Sequence, residues 1–189
     1  MHRSVSERVE FGAGVFQSSE RTPRPDPRTL LVSSLEWAID LERTARRPEK
    51  PDHVAGLAAN AAWADALEVD ADYPTDDVPE RFTRVMVHGD QCTMTSERHN
   101  AAGFLRKMIK AVPDLEEPIV THLNAAADLF DADDGMAVLW PWSYDMGPDA
   151  QIGLADPAAR RKIATVLRAN GAREAKAVGH LEQALAVLK

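Results

Sequence analysis

The sequence predicts a mainly α protein, a bundle of five or more helices preceded by one short β-strand. Three observations predict it. Apolar residues recur at three- and four-residue spacing through most of the chain, which places them on one face of a helix. Proline and capping residues cut the chain into helix-length pieces. Only one stretch, near the N-terminus, alternates with the period of two that a half-buried strand requires.

The elements follow in order. In "VSERVEFGAGVFQSSE" (5–20), Val9, Phe11, Ala13 and Val15 alternate, and a strand is expected over about 7–17. "RTPRPDPR" holds three prolines and reads as a stiff arm, so residues 1–25 form a strand-and-arm segment and 26–189 the bundle domain. Asp26 can cap and Pro27 suits the first helical position. The helix they open should reach about Arg46, with two stripes, Leu31/Leu35/Ala38/Ile39 and Leu30/Trp37/Leu41, packed on two sides. Asp52 is expected to cap a second, alanine-rich helix, "HVAGLAANAAWADALE". Residues 69–79 read as loop. Helix is expected from about Pro79 to His88, and again, or continuously past Gly89, to Val112. Pro113 stops it. Asp114 and Glu117 have capping-box spacing for a helix to about Asp133. Residues 135–150, with Trp140 and Trp142, carry no clear period. Asp156-Pro157 opens a final helix to the C-terminus, with a bend expected at Asn170-Gly171.

Composition bounds the function. At 189 residues the chain can bury a core without staples. Its net charge of −8 argues against nucleic acid or an anionic membrane as partner, since both demand a positive field. One cysteine, Cys92, permits no intrachain disulfide, and a reducing cytoplasm is the expected setting. No run is long and apolar enough for a signal peptide or a membrane span.

The candidate site comes from "ERHNAAGFLRKMIK" (97–110). On a helical wheel, Ala101, Ala102, Leu105, Met108, Ile109 and Val112 share a face. Arg98, seven residues before Leu105, falls within about 20° of its centre, whereas His99 lies about 120° away beside Arg106 and Lys110. A core-facing guanidinium cannot shed its charge, so it needs a carboxylate or a bound anion. Glu174, seven residues before Leu181, and Asn170, four before Glu174, fall on the apolar face of the last helix. Asp131 and Asp134 lie near the end of the preceding one. The partner of Arg98 is expected among Glu174, Asp131 and Asp134, and the candidate ligand-binding set is Arg98, Glu174, Asn170 and Asp134. Such a pair also serves as a packing and register device in helical bundles. As a site, it would grip an anionic or carbonyl group by forked hydrogen bonds.

Other chemistries find no motif. The histidines at 88, 99, 122 and 180 form no paired Glu-x-x-His, His-x-x-x-His or His-Glu-x-x-His pattern, and no metal or cofactor is expected. "DLFDADDG" fails the register of a calcium loop. Cys92 stands four residues after His88, but no orienting group or oxyanion hole accompanies the pair, so no catalytic residue is assigned. The four tryptophans read as core or interface anchors.

The succession of "VEFGAGVF", "HVAGLAANAAWADALE", "SERHNAAGFLRKMI" and "LADPAARRKIATVLRANGAREAKAVGHLEQAL" resembles a helical domain that follows cysteine-peptidase-like domains in bacterial proteins of the butirosin-biosynthesis-H type. Gly56, Trp63, Arg98 and Glu174 are the matching positions. The resemblance implies the helical module without the preceding catalytic domain, so no acyl-transfer or peptidase chemistry is carried over. It also suggests a separate cysteine-peptidase-like chain as partner. A lone strand leaves backbone donors and acceptors unpaired, which makes a homodimer through residues 7–17 the expected assembly. The expected function is a non-catalytic helical module that binds a small anionic or carbonyl-bearing ligand or a partner protein. A helical-bundle enzyme with a metal or an acid–base pair, and a structural or oligomerisation module, are the alternatives.

Overall fold

The computed structural model describes residues 25–46, 48, 51–73, 76–77, 83–84, 86–88, 97–132 and 154–189. The expected strand over 7–17, Cys92, Asp134 and the stretch 135–150 lie outside the described residues. Among the described residues there is no strand, and five α-helices form the architecture: α1 (Pro27–Arg43), α2 (Leu57–Leu67), α3 (Arg98–Ala111), α4 (Glu117–Asp131) and α5 (Pro157–Leu188). Residues 83–84 and 86–88 are also helical, and a short 3-10 turn covers Asp70–Asp72. No helix of the described residues is long and apolar enough to cross a membrane.

Both Asp-Pro starts form as the sequence predicts. The Asp26 carboxylate accepts from the Arg28 and Thr29 amides at 3.0 and 3.1 Å, and Asp156 accepts from the Ala158 amide at 2.9 Å. Each satisfies donors that the first turn leaves without intrahelical partners. The other two expected caps do not form. Residue Asp52 stands in a turn, and α2 begins five residues later, after Gly56 at φ 57°, ψ −148°. That conformation is open to glycine alone. The physical cause is proximity: a Cβ on Gly56 would stand 2.7 Å from the Leu41 carbonyl oxygen and closer still to that of Glu42, so only a bare Cα lets the start of α2 pass the end of α1. Asp114 adopts φ 55° in the α3–α4 turn, and α4 is preceded by Glu116, which makes no side-chain cap. A left-handed residue three positions before Glu117 cannot close the expected capping box.

The last helix departs from expectation in the opposite sense. It runs through Asn170-Gly171 unbroken for 32 residues, a length of about 48 Å at 1.5 Å per residue. Gly171 is a packing residue, not a hinge. Its missing side chain admits Asn60 of α2, whose Cβ would lie 3.1 Å from a Cβ placed on Gly171.

Helix α5 is the spine, packed chiefly on α4 and α2. Its C-terminal half joins α1, α3 and α4 in the larger apolar cluster, built on Leu31, Leu35, Leu105, Ile119, Leu123 and Leu181. Its N-terminal half joins α2 and Leu154 in a smaller cluster of Ala64, Leu67, Ile163, Ala164 and Leu167. Only one stripe of α1 enters a core. Leu30 and Trp37, assigned to the second stripe, are exposed, Trp37 by 66%. Surface ion pairs tie α5 to its neighbours, Arg43 to Glu182 at 2.8 Å from α1, and Arg168 to Asp65 and Glu68 at 2.7 and 2.9 Å from α2.

Candidate functional site

Where the two apolar clusters meet, α1, α2, α3 and α5 each contribute polar side chains to one constellation. Glu174 is its centre. Its side chain is 3% exposed, and it is placed there by the same seven-residue spacing that puts Leu181 in the core. One oxygen, Oε1, accepts from Arg98 Nε at 2.6 Å, and the other, Oε2, accepts from Asn60 Nδ2 at 2.9 Å. A buried carboxylate is thereby satisfied on both oxygens, by a cation from α3 and an amide from α2. Glu42, in the last turn of α1, completes the group, with Oε1 3.7 Å from Arg98 Nη2. At that separation the two charges attract without a hydrogen bond.

Arg98 has the first position of α3, where it is half-buried, its side chain 39% exposed. Of five N–H donors on the guanidinium, the described residues engage Nε alone. Glu42 is the more strained member. Its side chain is 19% exposed and neither oxygen accepts a hydrogen bond among the described residues, Oε2 being closed to water as well. Burial pushes its carboxyl above the usual glutamate range. Arg98 opposes that shift, and Glu174 adds to it.

Arg98 and Glu42 also stand in the wall of a half-open cavity of about 320 Å³ between α1 and α3, to which Phe130 of α4 and Leu181 of α5 also contribute. Leu35, Ala38, Phe104 and Leu105 make most of the rest of the wall, with Trp37 exposed beside them and Ser34 the remaining polar member. The volume lies within the range of small-molecule sites, and a mostly apolar lining with few polar groups is their usual composition.

Of the four residues expected in a ligand site, the structure brings Arg98 and Glu174 into direct contact, and Arg98 alone lines the cavity among the described residues. Asn170 is buried one turn before Glu174. Its Oδ1 accepts from Arg173 at 2.5 Å, while its buried Nδ2 finds no acceptor among the described residues. Asp134 lies outside the described residues, and Asp131, the other proposed partner, pairs with Arg106 at 2.6 Å. Sequence reasoning missed Glu42 and Asn60. Both carried a signal: Glu42 follows Leu35 by seven residues, and Asn60 precedes Leu67 by seven, so each is a polar residue in core register.

Two further polar groups lie apart from this site. Arg160 is fully buried, and its guanidinium donates to the carbonyls of Leu67 and Leu154 at 2.8 and 2.7 Å, pairs with Asp70 and lies 4.4 Å from the centre of the Tyr73 ring. It ties the end of α2 to the start of α5 with all three of its guanidinium nitrogens engaged, which is a structural role. His122 and His180 face each other across α4 and α5, Nδ1 to Nδ1 at 3.2 Å, so one ring donates to the other. The described residues hold no group of three or more potential metal ligands. No protein-family profile, curated protein or solved structure matches the chain.

Proposed function

We propose that this chain is a non-catalytic helical module that binds a small molecule with an apolar body and a carbonyl-bearing head in the α1–α3 cavity. The observation that carries the reading is the cavity wall itself. A half-open apolar cavity of about 320 Å³ ends at Arg98, a cation held by Glu174 through one nitrogen, with the remaining donors unused by described residues. Preorganisation of this kind lowers the ordering cost of binding. Arg98 presents a planar fork suited to an oxygen acceptor. The single cysteine fits a reducing, cytoplasmic setting. The resemblance to the helical domain of butirosin-biosynthesis-H-type proteins supports a binding role beside a separate catalytic chain.

The test is an NMR titration of isotope-labelled protein with hexanamide, hexanoate and hexan-1-ol, three probes that share an apolar body and differ in head group. Hexanamide or hexanoate, the two with a carbonyl, should bind, with shifts centred on Leu35, Phe104 and Leu181, and binding by hexan-1-ol alone overturns the reading. Ala101→Phe, which places a ring in the cavity wall one turn from Arg98, should abolish those shifts while leaving the far-ultraviolet circular dichroism spectrum unchanged. Failure of all three probes to bind the unmodified protein, or binding that survives Ala101→Phe, overturns the reading.

A further inference from the structure

We infer that the head group this cavity selects is an uncharged carboxamide and that Glu42 enforces the choice against carboxylates. The inference rests on the binding role just proposed and deepens it. Three charged side chains meet at the polar end: Arg98 from α3, Glu42 from α1 and Glu174 from α5. Glu174 already answers the guanidinium at 2.6 Å. With Glu42 ionised the trio carries one net negative charge, so an incoming carboxylate would be the third about a single cation. Like charges brought together in a partly dry site repel, and one added hydrogen bond to Arg98 does not offset that repulsion.

An amide meets the same wall differently. Arg98 Nη2 is a donor with no hydrogen bond to the described residues, and Glu42 Oε1 is an acceptor with none, and the two stand 3.7 Å apart. A primary carboxamide carries an acceptor and a donor side by side on one planar edge. Its carbonyl oxygen accepts from Arg98 while its N–H donates to Glu42, and both protein groups gain the partner they lack. Neither atom is among the buried unpartnered ones, so each gives up water when a ligand enters, and a head group that pairs both at once is favoured over one that pairs one and strips water from the other. An alcohol offers one oxygen for both roles and spans the gap less well. Helix α2, the fourth element at this junction, brings Asn60, which donates to Glu174, and the close passage of Gly56 against the Glu42 backbone.

The experiment compares the three six-carbon probes on the unmodified protein and on Glu42→Gln. Glutamine keeps the shape of glutamate, removes its charge and adds a donor. On the unmodified protein hexanamide should bind at least about tenfold tighter than hexanoate and hexan-1-ol. On Glu42→Gln hexanoate should tighten by about tenfold, whereas hexanamide should weaken because the carboxylate that accepts from its N–H is lost. Hexanoate binding the unmodified protein as tightly as hexanamide overturns the inference and leaves the binding role standing. So does a hexan-1-ol affinity equal to that of hexanamide, because the pair would then be bridged by any single oxygen. Hexanoate affinity indifferent to Glu42→Gln also overturns it. The comparison among probes on the unmodified protein decides the question even if the variant folds poorly. If no probe binds the unmodified protein, the binding role itself falls.

Discussion

Glu42 shows what one side chain contributes when its surroundings oppose its charge. Burial raises its carboxyl above its ordinary value of 4.5, and the attraction of Arg98 does not offset it. Between that ordinary value and the raised one, the folded protein holds a proton that the unfolded chain has released. Stability therefore falls as pH rises through this window, and the penalty is fully present above the raised value. Glutamine imitates the protonated form. Glu42→Gln should accordingly raise the urea midpoint more at about pH 7.5 than at about pH 4, where the glutamate is mostly protonated in both states. Equal gains at the two values would mean that Glu42 is not destabilised by its charge. The Arg98–Glu174 pair was legible because each residue sits seven positions before a core leucine, Leu105 and Leu181. Glu42 escaped because a carboxylate in the last turn of a helix reads as surface unless its register with Leu35 is checked.

Helix ends show which local signals suffice. Asp26 and Asp156 cap because a following proline sets the first turn and the carboxylate reaches amides two or three residues on. Asp52 and Asp114 have similar spacing in sequence but stand where the chain is turning. The entry to α2 is decided by how near α1 passes, and Gly56 alone fits there. Gly56→Ala should destabilise by about 3 kcal/mol or more, combining a forbidden backbone conformation with a backbone clash. Gly103→Ala and Gly179→Ala meet nothing within 4 Å and should each stabilise by about 0.5–1 kcal/mol through helix propensity. Urea denaturation of the three variants checks this. A tolerated alanine at 56 would show that α1 and α2 do not pass as closely as described.

The described residues form two apolar clusters strung on one long helix, with the polar constellation where they meet. α2 reaches the larger body through its packing on α5 and through Asn60, which shares Glu174 with Arg98. Arg98→Leu leaves Glu174 buried with Asn60 as its one hydrogen-bond partner among the described residues. Breaking a fully buried pair costs about 3–5 kcal/mol, and the partial exposure of Arg98 reduces the expected loss to about 2–3 kcal/mol. The orphaned carboxylate regains water most easily if α2 lifts away, so α2 amides should lose exchange protection before those of α4. Equal loss across both helices, or none, would show that the constellation does not join the two halves.

By itself the sequence determined that the chain is helical, where Asp-Pro pairs start helices, and which faces are apolar, because periodicity, capping and proline stereochemistry act over a few neighbouring residues. It also placed Arg98, Asn170 and Glu174 on inward faces by register. Only the tertiary structure decided that Arg98 takes Glu174 and Asp131 takes Arg106, that α5 runs straight past Gly171, and that Glu42 closes a cavity beside Arg98. The reason is physical. A wheel fixes the direction a side chain leaves its own helix, whereas the distance between two side chains on different helices depends on how those helices approach and cross, which is set by packing over the whole core.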